Sequence, residues 1–460
     1  MPSHGESSEG RKHLKNNMSR DKIYSKDSLY SALRVLWTDW TIKYSYRRRE
    51  VRGMDDLPED GALLLTPNHC NTLMDALVML RSYKGSTVFG ARADIFNNAF
   101  IGKIMTYLRI LPMARQRDGL RNVLKNKDTQ EIVVETLENG VRFCVFPEGT
   151  HRTMHSLRTF GKGAMRIALA AEAKFGKERP VYVIPVGLEY GDYFRYRSSS
   201  LVNYGKPINV AEFIKEHPEV ENEPQMLEAL RRELTARISE LMTFIKDDEN
   251  YEAKWALTKA VAIYDRKKGY GEFGTCLYDD MIRNREIVSR IENAMEEKPS
   301  EMAELLEETA EFEAERRKRK ISIYAFKKMD NPVLHTVGKG FAALVGLPYF
   351  IFSAIASLPM WATAEFIRNK VRDKAFRNTV SFGVKLAMTP ILLVTYAVLA
   401  FCLAPWWLAL TLLILWFPAY SYFYDYMEGF RRFVSEIRLL NNRKLWKKFR
   451  KINKKFNKLT

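Results

Sequence analysis

Ala62-Leu63-Leu64-Leu65-Thr66-Pro67-Asn68-His69-Cys70-Asn71-Thr72-Leu73-Met74-Asp75 decides how this chain is read. A short apolar run ends in a proline. It hands over at once to a polar loop that holds a histidine and then an aspartate. The same hand-over recurs at Arg142–Phe146, where the strand-like run is followed by Pro147-Glu148-Gly149-Thr150. Further apolar runs lie at Thr87–Ala91, Ile110–Ala114 and Val181–Leu188, and helical patterns at Thr129–Asn139 and Ala164–Ala173 fall between the runs. Strands alternating with helices predict an α/β domain with a substantially parallel sheet. In such sheets chemistry gathers at the carboxyl ends of the strands, and both polar loops stand there.

The residue types in the two loops suit proton transfer. An imidazole can take a proton from an alcohol as that alcohol attacks a thioester. A carboxylate can fix the imidazole's tautomer and stabilise the imidazolium. His69 and Asp75 meet that need if the loop folds back; the same spacing also describes a capped helix with a satisfied histidine. Gly149 permits a positive φ or a close backbone approach. Glu148 offers a carboxylate to a hydroxyl group, and His151 and Arg152 offer cationic donors; the plain alternative is a strand-to-loop turn. Cys70 reads as a small filler rather than a nucleophile.

The 460 residues carry a net charge of +18 and a sequence pI of about 9.5. That balance favours polyanions, either nucleic acid or anionic lipid head groups. The apolar end of the chain makes lipid the better polyanion, so no nucleic-acid partner is expected. Four scattered cysteines form no CxxC pair, and no metal-ligand spacing occurs, so no metal is expected.

Six stretches follow from composition. Residues 1–28 are polar and Ser/Lys-rich, read as a disordered basic N-terminus with no signal peptide. Residues 29–60 begin with an amphipathic helix, with Tyr30, Leu33, Trp37, Trp40 and Tyr44 at helical spacing before Arg47, Arg48 and Arg49. It suits a helix lying on a bilayer surface or one packed on the folded domain. Residues 61–210 are the α/β domain, expected to be the catalytic one because both polar loops lie in it. Residues 211–330 are a charged helical subdomain, with Leu227, Leu230, Leu234, Ile238 and Leu241 as its stripe. Residues 331–430 are apolar, and 431–460 form a basic cytosolic tail.

A membrane span needs about 20 apolar residues. Lys385–Tyr424 is long enough for two, turning near Ala404-Pro405-Trp406. His335–Ile367, broken by Pro348 and Pro359, suits one span or the two limbs of a re-entrant hairpin. Basic residues flank both segments at Arg316–Lys320, Arg368–Arg377 and beyond Arg431. The positive-inside rule puts every flank in the cytosol, so each segment is expected to form a membrane hairpin.

The motifs, taken in order, resemble the glycerolipid acyltransferases, which acylate glycerol-3-phosphate and lysophosphatidic acid. Asn68-His69…Asp75 resembles the family's first block, and Ile110-Leu111-Pro112-Met113-Ala114-Arg115 its second. Phe146-Pro147-Glu148-Gly149-Thr150 matches the third. Val183-Ile184-Pro185-Val186-Gly187 resembles the fourth, and Gly205-Lys206-Pro207-Ile208 the closing segment. The resemblance covers roughly residues 60–210. It implies a membrane-bound O-acyltransferase of phospholipid synthesis, with its catalytic domain on the cytoplasmic face. His69 would be the base and Asp75 its orienting partner. Asn68, Glu148, Gly149 and Thr150 would meet the acceptor, and Arg92, Arg115 and Arg152 its phosphate. The donor would be acyl-CoA or acyl-carrier protein, with no bound cofactor. The acceptor would be glycerol-3-phosphate, 1-acylglycerol-3-phosphate, or else another lysophospholipid or dihydroxyacetone phosphate. A non-catalytic scaffold binding anionic lipid is the reading from another class, and intact His69, Asp75 and Glu148 argue against it. Two departures stand out. Five residues rather than the usual four separate His69 from Asp75, so the loop must bulge. His151 takes the place of the usual arginine, displacing Arg152 by one.

Overall fold

A computed structural model describes residues 28–83, 85–93, 96, 99–113, 120–265, 276–327 and 331–460. The reading of residues 1–27, and Arg115, therefore lie outside the described residues. The chain divides into two units. The first holds residues up to 40, 51–188 and 202–242; the second holds 41–50, 189–201 and 243–460.

The sheet has eight strands: β1 (Arg48–Arg52), β2 (Ala62–Pro67), β3 (Thr87–Arg92), β4 (Ile110–Met113), β5 (Arg142–Cys144), β6 (Val181–Tyr190), β7 (Ser199–Tyr204) and β8 (Ile208–Asn209). Their order is β1-β7-β6-β2-β5-β3-β4, with β8 antiparallel to β6. The pairs β2–β5, β2–β6, β3–β5 and β3–β4 are all parallel. Every residue of β2 is buried, which explains its unbroken apolar run: strands covered on both faces lose the alternating pattern. Leu64 and Leu65 stand beside Phe143 and Cys144. That register carries the two polar loops, one after each strand, to the same edge of the sheet.

Helices cover the sheet. Those that matter here are α3 (Leu73–Ser82), α5 (Leu120–Glu138), α6 (Gly163–Phe175) and α8 (Glu223–Glu240). Val133 and Leu137 of α5, and Ala164, Ile167, Ala168 and Ala171 of α6, bury against Leu64, Val88 and Phe143. The alanines let α6 lie close to the strands. The structure draws one boundary differently from the sequence reading. Leu227, Leu230, Leu234 and Ile238 of α8 join this same core, so residues up to 242 belong with the catalytic unit, and 211–330 is not one subdomain. Gly187 records how closely the end of α8 approaches: a Cβ there would lie 2.2 Å from the Leu241 carbonyl oxygen.

The chain enters through α1 (Ser28–Leu33), a π-helical turn (Arg34–Thr38) and α2 (Asp39–Ser45). Both readings of this helix find support. Tyr30 packs edge-on to Tyr107 at 6.1 Å. Arg34 donates to the carbonyls of Leu80, Tyr83 and Gly85, satisfying acceptors that the end of α3 leaves open. Val35 and Leu36, by contrast, are 60% and 77% exposed, so that apolar face is left uncovered.

In the second unit α9 (Tyr251–Tyr264), α10 (Leu277–Glu297), α11 (Pro299–Lys318) and α15 (Arg443–Leu459) share a core. Leu445, Phe449, Ile452 and Phe456 of α15 are buried in it, while Lys448, Lys451 and Lys455 pair with Glu315 and Glu308 of α11. Exposed pairs contribute little each; the apolar face holds the helix. Residues 431–460 are thus a packed helical end, not a free tail.

Among the described residues three helices are long and apolar enough to cross a membrane: α12 (Pro332–Lys370), α13 (Arg377–Leu403) and α14 (Trp406–Leu440). The last two form an antiparallel hairpin turning at Ala404-Pro405. Tyr396 meets Trp416 at 5.9 Å, and Lys385 sits 5.3 Å over Tyr420. Helix α12 doubles back. Its start lies by the far end of α14, where Lys339 pairs with Glu436. Its own end is only residues 371–376 away from the start of α13, which lies at that same level. Phe350 and Trp361 would stand about 16 Å apart along a straight helix, yet both touch Phe423, at 5.8 and 6.4 Å. Pro348 and Pro359 are the breaks that permit the bend. The segment is thus bent into two limbs rather than one straight helix.

Candidate active site

Asp75 is the anchor of the loop after β2. It lies in the first turn of α3 and is 0% exposed. Its Oδ2 accepts three hydrogen bonds: from His69 Nδ1 at 2.8 Å, from the Cys70 amide at 2.8 Å, and from the Asn71 amide at 2.6 Å. A buried carboxylate is tolerable only with such donors. Because the carboxylate can only accept from His69, Nδ1 carries the proton there and the Nε2 lone pair is left to act as a base. The extra residue between His69 and Asp75 is absorbed at Thr72, whose φ is +50°. That is a strained conformation for a β-branched residue. The side-chain amide of the neighbouring Asn71 is wholly buried, with neither its Oδ1 nor its Nδ2 hydrogen-bonded, a further cost stored in this loop.

The second loop grips the first. His69 N donates to Glu148 Oε1 at 2.8 Å, and Arg152 N donates to the His69 carbonyl at 2.9 Å. The imidazole stacks on Phe146 at 4.3 Å, with His151 edge-on at 5.8 Å. The His69 side chain is 18% exposed, so the ring is held on one face and reachable on another. Phe146 was legible as an aromatic before the turn, but its role as the floor under His69 needs the β2–β5 register.

Two residues expected to touch the acceptor have other roles. Asn68 is buried, with its Oδ1 accepting from Leu188 N at 2.6 Å and its Nδ2 donating to Leu188 O at 3.2 Å. It extends the β2–β6 pairing beyond the strand and sets where His69 starts. Glu148 has Oε1 on His69 N and Oε2 on Arg158 N at 3.2 Å. Burial raises its pKa to about 7, with the two amide donors acting in the opposite direction. It is a bracket for the loop rather than an open hydroxyl acceptor. Gly149 makes the turn with φ +66° and is exposed, with Thr150 and Arg152 half-buried beyond it. Arg92 is exposed at the end of β3, the strand beside β5, and so lies on the same edge of the sheet. Cys70 is buried, as a filler residue should be. Among the described residues no cluster could hold a metal ion.

Residues 48–189 match the family model described as Acyltransferase. That stretch, less than half of the chain, is similar to acyltransferase domains. The chain is also similar to two acyltransferases known by sequence. A chloroplastic 1-acyl-sn-glycerol-3-phosphate acyltransferase of Brassica napus is 29% identical over 175 residues, covering 37% of this chain and 45% of that protein. The human 1-acyl-sn-glycerol-3-phosphate acyltransferase alpha is 27% identical over 155 residues, covering 33% of this chain and 50% of that protein. The chain thus spans about half the length of the relatives it matches. The crystal structure of the 1-acyl-sn-glycerophosphate acyltransferase PlsC from Thermotoga maritima aligns with 49% of this chain and 86% of that one, at 18% identity and a TM-score of 0.34.

Proposed function

We propose that the protein transfers a fatty acyl group from an acyl thioester to the free hydroxyl of 1-acylglycerol-3-phosphate, or of glycerol-3-phosphate, at a membrane surface. The observation that carries this is the 2.8 Å His69–Asp75 bond, held by a fully buried carboxylate at the carboxyl edge of adjacent parallel strands. His69 Nε2 takes the hydroxyl proton as the oxygen attacks the thioester carbonyl. Asp75 stabilises the imidazolium. The tetrahedral intermediate collapses, the C–S bond breaks, and the imidazolium returns its proton to the leaving thiolate. Arg92, at the end of β3, and Arg152, in the loop after β5, lie at the same sheet edge and suit the acceptor's phosphate. The phosphate-bearing lipid acceptors named for the two relatives support the first choice of acceptor. The apolar helices support a membrane enzyme, and the basic flanks a cytoplasmic catalytic domain.

The test is the purified protein in detergent with radiolabelled acyl-CoA, offered lysophosphatidate, glycerol-3-phosphate and dihydroxyacetone phosphate in parallel. Acylation of lysophosphatidate that vanishes in His69→Ala is the expected result. Label reaching none of the three, from acyl-CoA or acyl-carrier protein, would overturn the reading.

A further inference from the structure

The buried stripe of α15 explains how that helix is held and leaves its opposite face unexplained. At 100° per residue, Arg443, Lys447, Arg450, Lys454 and Lys458 fall within about 80° of one another, facing away from Leu445, Phe449, Ile452 and Phe456. All five are exposed. Lys448, Lys451 and Lys455 lie on the flank, where Glu315, Glu308 and Glu304 of α11 answer them. The outer five have no acidic partner among the described residues. They form a row about 22 Å long, beside a shallow, open groove lined by cations only. Like charges at i,i+4 spacing work against a helix, and Arg443–Lys447, Arg450–Lys454 and Lys454–Lys458 are such pairs. The row costs the fold something and receives nothing back from it.

The course of α15 says what lies within reach. Asn441 and Asn442 alone join it to α14, and the chain then turns back. The segment before α12 runs down α14: the Lys320 carbonyl accepts from Arg438, Ser322 N donates to Ser435 Oγ, and Tyr324 lies 5.6 Å from Arg432. Phe326, two residues on, packs on Phe449 at 4.7 Å. Had α15 kept the direction of α14, Phe449 would stand about 25 Å beyond Arg432, out of reach of that ring. The reversed course carries Lys454 and Lys458 on toward the level of Asp425, the first charged residue after the uncharged run Trp406–Tyr424. That run is about long enough to cross the hydrocarbon layer, so the row points back to the depth of lipid head groups.

We infer that the outer face of α15 is an electrostatic docking face for the anionic bilayer surface that α14 enters. The inference rests on the reading of α12 to α14 as membrane helices and takes nothing from the acyl-transfer chemistry. Charge complementarity selects the partner: a fixed row of cations needs an extended polyanion, and a membrane-crossing α14 keeps head groups at hand. Each cation near such a surface is worth about fivefold. No apolar side chain belongs to the row, so salt should undo the docking.

The test uses the full-length protein in nanodiscs, with Cys276 and Cys402 replaced by serine and a fluorophore on Lys458→Cys. The discs are phosphatidylcholine alone, or with roughly one third phosphatidylglycerol, each doped with a lipid carrying a nitroxide quencher on its head group. Neither lipid is an acceptor in the proposed reaction. Strong quenching is expected with phosphatidylglycerol, little without it, and loss of the effect between about 0.1 M and 1 M salt. Lys447→Gln/Arg450→Gln/Lys454→Gln should lower the docked-to-free ratio about a hundredfold at an unchanged melting temperature. Quenching equal in both discs, and indifferent to salt and to the triple variant, would overturn the inference, because the fold and not charge would then hold the helix there. So would a label left bright in phosphatidylglycerol discs; a nucleic-acid duplex retained by the parent and not by the triple variant would then assign the row to that polyanion. A second sample, labelled at native Cys402 of α13 with the quencher in the acyl chains, separates the two readings. A bright Cys402 would sink the membrane reading and this one with it. A quenched Cys402 beside a bright Lys458→Cys would sink this one alone.

Discussion

Replacing Asp75 by asparagine separates charge from shape. All three N–H bonds converge on one carboxylate oxygen, while the other stands 3.8 Å from Cys70 Sγ. An asparagine can put its carbonyl oxygen in the three-donor position and its NH₂ toward the sulfur. The loop and the Nδ1–H tautomer of His69 should therefore survive. Each bond falls from the charge-assisted range of about 1.5–3 kcal/mol to about 1 kcal/mol. The relief of no longer burying a charge offsets part of that loss, so the net loss of stability should be modest. Catalysis should suffer far more. Without a counter-charge for the imidazolium, kcat should fall about 10²–10⁴-fold, or roughly 3–5 kcal/mol. Asp75→Ala is a different perturbation. It strands three buried donors at about 1–3 kcal/mol each, enough to collapse the loop and lower the melting temperature well below that of the asparagine variant. The double variant His69→Ala/Asp75→Asn should be little worse than His69→Ala, since the pair acts as one unit. Initial rates of radiolabelled acyl transfer, with melting curves for each variant, decide it. Turnover of Asp75→Asn within about threefold of the parent would refute the role of the charge. A native-like melting temperature for Asp75→Ala would refute the claim that the loop hangs on this residue.

Other consequences follow from the same geometry. Glu148 is a carboxylate whose folded-state pKa of about 7 lies above its ordinary 4.5, so the native state binds the proton more tightly. Its protonated form suits folding below pH 4.5, and that advantage is lost as pH rises to 7. At 1.36 kcal/mol per pH unit the gap comes to roughly 3 kcal/mol. The melting temperature of Glu148→Gln minus that of the parent should rise from pH 5 to pH 7 and then level off; a difference flat across that range would contradict the burial argument. Asn68→Ala breaks both bonds to Leu188 and should cost about 2–4 kcal/mol, read as a lower melting temperature with activity falling alongside; an unchanged melting temperature would show that the bracket is idle. Lys374→Cys and Arg450→Cys, in a background lacking Cys402, should resist an impermeant thiol reagent on intact cells and react once the membrane is opened. Outside labelling of either would overturn the two-hairpin topology.

Much of the fold was legible because burial leaves a mark on sequence. The five apolar runs became β2 to β6, and the hand-over from β2 to a His/Asp loop is where His69 and Asp75 meet. The roles of Asn68 and Glu148 were not legible, for a common reason. Both act on backbone atoms, of Leu188 and of His69 and Arg158, and a hydrogen bond to backbone leaves no trace in the identity of its partner. The division at residue 242 was hidden likewise. The stripe from Leu227 to Ile238 declares a buried helix face but not which core receives it. In α15 the apolar positions Leu445, Phe449, Ile452 and Phe456 were present in the chain, but nine cations in the same helix masked their spacing.

The extra residue between His69 and Asp75 joins the two levels most directly. One residue more than the usual spacing leaves two outcomes: the pair separates, or the backbone takes up the slack. The His69–Asp75 bond at 2.8 Å and Thr72 at φ +50° show the second. A strained residue costs about 1–3 kcal/mol, and the buried, unpartnered side-chain amide of Asn71 adds to it. Three donors gathered on one buried carboxylate oxygen, together with the Glu148 and Arg152 bonds to the His69 backbone, are strong enough to offset that cost. Strain is therefore expected to persist here only because the histidine and its carboxylate must stay in register, and a chain that did not need the pair would have no reason to retain the bulge.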